Sequence, residues 1–139
     1  MKVSKVMHSG VTYVEPGTHL GDIAKKMREQ DIGAIPVCED GKFLGMITDR
    51  DIVCRGLDNG HNPAKLQARD VMSKGMFSCH ENDDLNSAIE TMSKKHVRRL
   101  AVLDDKQHMV GMLSLGDVCH KTDAPHCASV MQAVAAHHG

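Results

Sequence analysis

The sequence has very few aromatic residues. Its 139 residues include no tryptophan, one tyrosine and two phenylalanines, so aromatic side chains make up 2% of the chain. Domains that bind single-stranded nucleic acid commonly stack bases on exposed rings, and this composition argues against such a surface. Hydrophobic residues still account for 41% of the chain and include ten methionines, which predicts an aliphatic core packed with adaptable side chains.

The sequence also lacks an excess of charge of either sign. Seventeen basic and eighteen acidic side chains give a net charge of −1 with neutral histidines, so no basic field predicts binding to nucleic acid. No apolar run approaches the roughly 20 residues of a membrane-spanning helix, and the first residues do not resemble a secretory signal peptide. We therefore expect a cytoplasmic protein with no nucleic-acid or membrane partner.

Closely spaced cysteine pairs are absent too. The five cysteines stand at positions 38, 54, 79, 119 and 127 without a C-x-x-C motif. This odd number fits neither a disulfide framework nor a zinc ribbon, and it agrees with a reducing compartment. Zinc-compatible donors occur at Cys119, His120, His126 and Cys127, but their spacing does not indicate a tetrahedral site. We therefore expect no disulfide framework and no metal site.

An internal repeat is the most informative feature that is present. Met7 matches Met72 at an offset of 65 residues, whereas Gly45 matches Gly111 at an offset of 66. The one extra residue is expected in the turn at residues 104–107, because surface turns tolerate insertions. Halves of about 65 residues would be marginally stable alone, so we expect the two copies to share one core.

Each repeat predicts a strand, a helix, two strands and a second helix, in that order. Apolar residues at helical spacing predict helices from Leu20 and Leu85, capped by Thr18 and by Asn82 or Asp83. The predicted strands span residues 11–14, 32–38, 43–48, 76–79, 99–103 and 108–114. Because a strand-helix-strand connection implies a parallel crossover, we predict an α/β (α+β) fold with two small sheets.

Two glycine-to-aspartate motifs stand at equivalent points of the repeats, GMITDRD at residues 45–51 (the first motif) and GMLSLGD at residues 111–117 (the second motif). In each, a strand leads into a helix with Thr48 or Ser114 as the N-cap and Asp51 or Asp117 in the first turn. One interpretation is a capping box, which needs no ligand. The other is a site where helix N–H groups bind phosphate and the carboxylate binds ribose hydroxyls. The motifs alone leave both open.

With these motifs in register, the chain resembles a tandem pair of cystathionine β-synthase (CBS) domains, also called a Bateman module, from about residue 2 to 121. IPV at 35–37 and VRRLAV at 97–102 also match that family. The resemblance implies two β-α-β-β-α repeats packed through their sheets about a pseudo-twofold axis. It assigns residues 1–66 to repeat 1 with a linker and 67–122 to repeat 2, which leaves residues 123–139 as a tail. There Val130, Met131 and Val134 predict a short helix over residues 128–138 that either folds back or contacts another subunit.

The resemblance further implies two clefts that bind adenosyl ligands such as AMP, ATP, NAD or S-adenosylmethionine. One is expected to combine Ser114 and Asp117 with Met112, Val11, Thr12, Ile32, Gly33, Ala34 and Arg99. The other is expected to combine Thr48 and Asp51 with Met46, Arg50, Met76, Phe77, Val97 and Arg98. Because Ala34 is the counterpart of Arg99, only the cleft of the second motif is expected to gain an arginine that binds phosphate in a bidentate fork.

These motifs assemble no nucleophile with a base, no carboxylate pair and no metal triad, so we predict that the protein is not an enzyme. The resemblance implies a free-standing regulatory module that senses an adenine nucleotide and reports to an unidentified protein partner. The alternative is a ligand-free structural or stress-related dimer, with incidental metal binding as a variant. A homodimer is expected because small units should leave parts of the apolar helix faces at residues 20–27 and 85–92, with the helices after Asp51 and Asp117, as a surface patch.

Overall fold

The segment that opens each sequence repeat folds with the other repeat. The computed structural model describes residues 1–74 and 77–135. It divides into Thr12–Met76, here called the 12–76 unit, and Met1–Val11 with Phe77–Gly139, here called the 77–139 unit. The first eleven residues of the chain therefore belong with most of the second repeat, and the residues that open the second repeat complete the 12–76 unit.

The 12–76 unit is built on a three-stranded antiparallel sheet. Its elements are helix α1 (Leu20–Gln30), strands β1 (Ala34–Glu39) and β2 (Lys42–Thr48), helices α2 (Asp49–Gly56) and α3 (Ala68–Val71), and strand β3 (Ser73–Lys74). The strand order is β1–β2–β3. Asp40 and Gly41 connect β1 to β2 with φ angles of 53° and 79°, as expected for a two-residue Asp-Gly hairpin turn.

The core of the 12–76 unit forms where α1 packs against the sheet. Leu20, Ile23 and Met27 are 4%, 0% and 7% exposed, so the helical periodicity predicts the buried face correctly. The other buried residues of this cluster are Val14, Ile35, Val37, Ile47, Ala68, Val71 and Met72. Ala68 and Val71 come from the segment that opens the second repeat, so the exchange of segments completes this core.

The 77–139 unit has a mixed sheet with strand order β4–β5–β6. Its elements are strand β4 (Ser78–His80), helix α4 (Leu85–Lys95), strands β5 (Arg99–Leu103) and β6 (Met109–Ser114), and helices α5 (Leu115–Lys121) and α6 (Ala124–Ala135). Strands β4 and β5 are parallel and α4 connects them, which confirms the predicted crossover. Together the two sheets confirm the α/β class.

Helix α6 contributes to the core of the 77–139 unit. It packs on α4 and α5, and its Val130 and Val134 are 3% and 1% exposed. The tail helix is therefore confirmed as one that folds back, although Met131 is 49% exposed and residues 136–138 of the predicted helix lie outside the described residues. Val3 and Val6 of the exchanged segment join the same cluster. Each unit has its own core, which corrects the expectation of a single shared core.

The predicted caps of α1 and α4 are wrong, namely Thr18 and either Asn82 or Asp83. The N–H of Leu20 donates to the carbonyl of Leu66 at 3.1 Å, and the N–H of Leu85 donates to the carbonyl of Met1 at 2.8 Å. Met1 belongs to the exchanged segment, and Leu66 ends the linker of the first repeat. A main-chain carbonyl distant in sequence therefore satisfies the first helical N–H, which the local side-chain pattern does not reveal.

The predicted first strand of each repeat is shorter than expected. In the first repeat, residues 11–14 form only an isolated parallel bridge between Val14 and Val37. In the second repeat, the described strand runs over Ser78–His80, and Met76 of the predicted strand lies outside the described residues.

The apolar faces of α1 and α4 are not left exposed. Leu85 and Met92 are 4% and 0% exposed, like the matching residues of α1, and Ile89 is partly buried against the same core. The exposed stripes from which we expected a dimer are therefore absent from these two helices. Among the described helices, none combines the length and apolar character needed to cross a membrane.

The extra residue of the second repeat lies in the hairpin turn, as predicted. Cys38 pairs with Phe43 and Leu103 pairs with Met109, so four residues separate the first pair and five the second. In the longer turn, the carboxylate of Asp104 accepts N–H groups of Lys106 and His108 at 2.8 and 2.9 Å. A side-chain acceptor therefore closes the turn that the insertion lengthens.

The glycine that opens each motif permits a close approach of backbone. A Cβ atom on Gly45 would lie 2.5 Å from the carbonyl oxygen of Ser73, and one on Gly111 would lie 2.8 Å from that of His8. Ser73 and His8 are repeat-related, and each pairs with the hairpin beside the glycine. The glycine is therefore required for packing whether or not the motif binds a ligand.

We predict that Gly45→Ala lowers the free energy of unfolding by about 1–3 kcal/mol, because the new methyl group forces β3 away from β2. Gly21→Ala is the matched control, since no atom lies within 4 Å of its added Cβ. In helix α1 that change should be neutral or stabilise by up to about 1 kcal/mol. Urea denaturation measures both, and equal stabilities of the two variants would contradict the packing role of Gly45.

Candidate functional site

The first motif forms a complete capping box in the 12–76 unit. The N–H of Asp51 donates to Oγ1 of Thr48 at 3.1 Å, and the N–H of Thr48 donates to Oδ2 of Asp51 at 3.0 Å. The hydroxyl of Ser73 also donates to Oδ1 and Oδ2 of Asp51 at 3.3 and 3.5 Å. Both oxygens of this carboxylate are therefore engaged within the unit, and they join α2 to β3.

The second motif forms the same box in the 77–139 unit but leaves the carboxylate less occupied. Ser114 and Asp117 exchange two hydrogen bonds of 3.0 Å, with Oδ2 of Asp117 as the carboxylate acceptor. Among the described residues, no second donor reaches Asp117. The counterpart of Ser73 is His8, whose backbone pairs with Met112. Oδ1 of Asp117 therefore keeps its capacity to accept hydrogen bonds.

The first N–H groups of the two helices also differ in their partners. In both helices the first N–H donates to the carbonyl of the residue just before the first hairpin strand. Asp49 donates to Gly33 and Leu115 donates to Arg98, each at 2.9 Å. The carboxylate of Asp49 then accepts the N–H of Arg50 at 2.8 Å. No acceptor for the N–H of Gly116, the counterpart of Arg50, is found in the described part of the chain.

Strand register places an arginine beside the second motif only. In the antiparallel pair of β5 and β6, Arg99 is directly opposite Ser114, and in β1 and β2 Ala34 is opposite Thr48. Cβ atoms of such partners lie about 5 Å apart. Arg99 is exposed, so its guanidinium is available at the end of the hairpin that carries Ser114 and Asp117. The first motif has no equivalent cation in that register position.

The remaining predicted site residues occupy different environments. Met46 and Met112 are 4% and 9% exposed, so their side chains mainly fill the interior. Ile32 is 37% exposed. The chain positions of the others are as follows: Val11 ends the exchanged segment, Thr12 opens the 12–76 unit, Gly33 precedes β1, Val97 and Arg98 precede β5, and Arg50 lies in α2. Met76 lies outside the described residues.

Phe77, another predicted site residue, already has a cationic partner. The ammonium of Lys95 stands 5.2 Å from the centroid of the Phe77 ring, within the range of a cation–π interaction. The ring is 36% exposed. A base that stacked on this face would have to displace the lysine.

Two contributions to the motifs were not predicted from the sequence. Ser73 is separated from Asp51 by 22 residues and belongs to the exchanged segment, so no local pattern connects them. Asp49 stands inside the first motif, and its acidic side chain, where the second motif has Leu115, is a signal that could have been used. Gly33 accommodates that side chain, because a Cβ there would lie 2.9 Å from Oδ2 of Asp49.

The cysteine prediction is corrected at Cys119 and Cys127, which form a disulfide with a Cα–Cα distance of 4.7 Å. The two residues stand on α5 and α6, and the packing of these helices brings together positions eight residues apart. Sequence spacing alone did not show this because α6 was expected to begin near residue 128. The described residues contain no group of three or more histidine, cysteine, aspartate or glutamate side chains arranged to hold a metal ion.

A family model for the CBS domain matches residues 3–56 and 68–123. The chain belongs to the CBS-domain family. CBS domain-containing protein YhcV of Bacillus subtilis is 34% identical over 116 residues, which are 84% of this chain and 81% of that protein. Hypoxic response protein 1 of Mycobacterium tuberculosis is 34% identical over 114 residues, 81% of this chain and 79% of that protein.

The match to other relatives covers less of their length. Uncharacterized protein MK0525 of Methanopyrus kandleri is 33% identical over 119 residues, which are 85% of this chain and 61% of that protein. Inosine-5'-monophosphate dehydrogenase of Methanocaldococcus jannaschii is 27% identical over 128 residues, 91% of this chain but 25% of the enzyme. The similarity to that enzyme is thus confined to one part of it.

Solved CBS-pair structures share the fold. The crystal structure of Hypoxic Response Protein I, with two coordinated zinc ions, has a TM-score of 0.79 at 31% identity and covers 88% of this chain and 100% of that one. The CBSX2 structure in complex with AMP has a TM-score of 0.75 at 21% identity, covering 86% and 93%. The MJ0100 CBS pair with 5'-methylthioadenosine and S-adenosyl-L-methionine has a TM-score of 0.73 at 21% identity, covering 86% and 98%.

We predict that Asp51→Ala destabilises the protein more than Asp117→Ala. The first change removes a cap and strands the Ser73 hydroxyl, for a loss of about 2–3 kcal/mol, and the second removes a cap alone, for about 1 kcal/mol. Guanidinium denaturation gives the free energies. Ser73→Ala completes a double-mutant cycle and should cost about 1 kcal/mol with Asp51 present and much less in Asp51→Ala. Equal losses at the two aspartates would contradict the extra bond.

Proposed function

We propose that this CBS-domain protein is a regulatory module that binds an adenine nucleotide through the second motif and has no catalytic activity. One observation carries the proposal: Asp117 keeps an oxygen free of described donors, in the same motif where the strand register sets Arg99 opposite Ser114. An acceptor and a cation are thus available together at one hairpin end. In the first motif Ser73 engages the carboxylate of Asp51, and Ala34 takes the register position of Arg99.

The chemistry of these groups suits an adenosyl ligand with a phosphate. The carboxylate of Asp117 accepts the two hydroxyl groups of a ribose, and the guanidinium of Arg99 binds phosphate oxygens in a bidentate fork. The N–H of Gly116 adds a donor for the same anion. The solved CBS pair that holds AMP supports this ligand class. The pair that holds 5'-methylthioadenosine and S-adenosyl-L-methionine, which lack a phosphate, supports only its adenosyl part.

Which residues contact the adenine stays a prediction of the family resemblance. The first motif is proposed as the weaker site. Ser73 occupies the carboxylate of Asp51, and Asp49 brings a negative charge to the N–H that would face a phosphate.

A module of this kind acts by changing the conformation or assembly of a protein that it contacts. We propose an unidentified protein partner for that reason, and a cytoplasmic location remains a prediction. The match to inosine-5'-monophosphate dehydrogenase covers 25% of that enzyme. This partial coverage is the one way in which the match supports a non-catalytic role.

A ligand-free structural or stress-related dimer is the second candidate function. It is favoured by the two complete capping boxes, which satisfy helix N–H groups without a ligand. The zinc ions of the Hypoxic Response Protein I structure suggest incidental metal binding as a variant of this role.

We predict that AMP, ATP, NAD or S-adenosylmethionine raises the melting temperature, because a ligand at a hundredfold excess over its Kd stabilises the native state by about 2.7 kcal/mol. Titration calorimetry with the best ligand should then show a loss of affinity of about tenfold or more in Asp117→Ala and Arg99→Gln, and a smaller loss in Asp51→Ala. Arg28→Gln, an exposed change on α1, is the control for charge.

Equal losses in Asp117→Ala and Asp51→Ala would refute the asymmetry between the motifs. No response to any of the four ligands, in a protein that elemental analysis shows to carry stoichiometric zinc, would favour the second candidate function. Well under one zinc per chain is the expected result.

We also propose a homodimer, and of the predicted surface patch its basis is α2 with Leu57, the residue that follows it. Val53 and Leu57 stand one helical turn apart and are 58% and 59% exposed. We predict by light scattering a mass near twice the 15.2 kDa of one chain, and a shift toward the monomer in Val53→Glu. Asn86→Glu adds the same charge at an exposed position of α4 and should leave the mass unchanged. A monomer at micromolar concentration would exclude the dimer.

A further inference from the structure

The disulfide between Cys119 and Cys127 stands where the second repeat gains an element that the first repeat lacks. It joins α5 to α6. In the first repeat, the chain after the corresponding helix α2 continues through two 3-10 turns, Asp58–Gly60 and Pro63–Lys65, rather than through a packed helix. Helix α6 is therefore an addition to the repeat, and the disulfide lies at its N-terminal end.

Helix α6 packs into its unit mainly through its second half. Of its twelve residues, Val130 and Val134 are the buried ones, and both lie in its second half. Near the disulfide, Ala124, Pro125 and Ala128 are exposed, and the N–H of His126 is held locally by the carboxylate of Asp123 at 2.8 Å. The first half of α6 thus depends on the cross-link for its attachment to α5.

The other three cysteines are in different environments. Burial raises the pKa of Cys38 to about 11, and burial together with the charge of Asp83 raises the pKa of Cys79 to about 12, so both thiols are poor nucleophiles. Cys54 is exposed on α2 and belongs to no disulfide. Cys119 and Cys127 are therefore the pair whose oxidation state can change without opening a core.

We propose that Cys119 and Cys127 form a thiol–disulfide switch that locks or releases helix α6. Oxidation requires a low-molecular-weight disulfide such as oxidised glutathione. The thiolate of one cysteine attacks that disulfide and expels one thiolate, and the second cysteine attacks the mixed disulfide and expels the other. Two protein thiols thus lose two protons and two electrons, and one small disulfide becomes two thiols. Excess reduced glutathione reverses both steps.

This chemistry fits the cytoplasmic location that we predict, because cytosolic disulfides are usually transient and redox-sensing. It does not depend on the proposed nucleotide function, although Cys119 lies on α5 two residues after Asp117. Release of α6 would uncover part of the core around Val118, Val130 and Val134. Oxidation therefore controls how much of this apolar surface can become accessible.

Hydrogen exchange measured by mass spectrometry tests the switch. The protein is equilibrated with oxidised glutathione or with an excess of reduced glutathione, and thiol alkylation in denaturant reports the state of the pair. A cross-link across eight residues should slow exchange of the α6 amides by about 50-fold relative to the reduced protein. Amides of β5 and β6 should exchange at the same rate in both states.

Variants make the test specific. Cys127→Ser should show the fast α6 exchange of the reduced protein in both buffers, and Cys54→Ser should respond to oxidation like the parent. Reoxidation should restore slow exchange in the parent. The proposal is overturned if no disulfide forms, if the bond joins two chains, if reduced glutathione leaves it intact, if α6 exchange is equal in both states, or if the reduced pair binds zinc stoichiometrically.

Discussion

The reciprocal hydrogen bonds between a hydroxyl residue and the aspartate three positions later are the constraint on which both units depend. Thr48 with Asp51, and Ser114 with Asp117, fix the angle at which a hairpin strand turns into a helix. The residue before each hairpin, Gly33 or Arg98, accepts the first helical N–H at the same corner. The register of each hairpin sets which residue stands opposite the hydroxyl in the sheet. The position of Arg99 beside Ser114 is a consequence of that geometry.

The two copies of this corner differ because of their neighbours and not because of the box itself. Ser73 engages the carboxylate of Asp51, and Asp49 supplies an acceptor to the helix start. Their counterparts at the second motif, His8 and Leu115, supply neither interaction. Duplication therefore preserved the bonds that stabilise the fold, while substitutions around them made one corner self-sufficient and left the other with free polar groups.

Much of the fold could be predicted from one sequence because the repeat supplied each observation twice. The buried face of α1, the Asp40-Gly41 turn, the crossover through α4 and the inserted turn residue all follow from local pattern. The exchanged segments could not be predicted, since residues 1–11 fold with elements about 70–110 residues away in the chain. The same limit explains the missed bond from Ser73, the main-chain caps at Leu66 and Met1, and the disulfide.

A capping box and a ligand can coexist on one carboxylate. The capping interpretation of the motif and the ligand-binding interpretation therefore do not exclude each other. An ionised carboxylate has about four acceptor positions, and at Asp117 the cap uses only Oδ2. A ribose hydroxyl at Oδ1 would therefore add to the cap without breaking it. At Asp51 the hydroxyl of Ser73 already reaches both oxygens, so a ligand there must first displace a bond that holds β3. The fold can thus lose ligand binding at one motif without losing stability, and the presence of the box alone does not indicate a site.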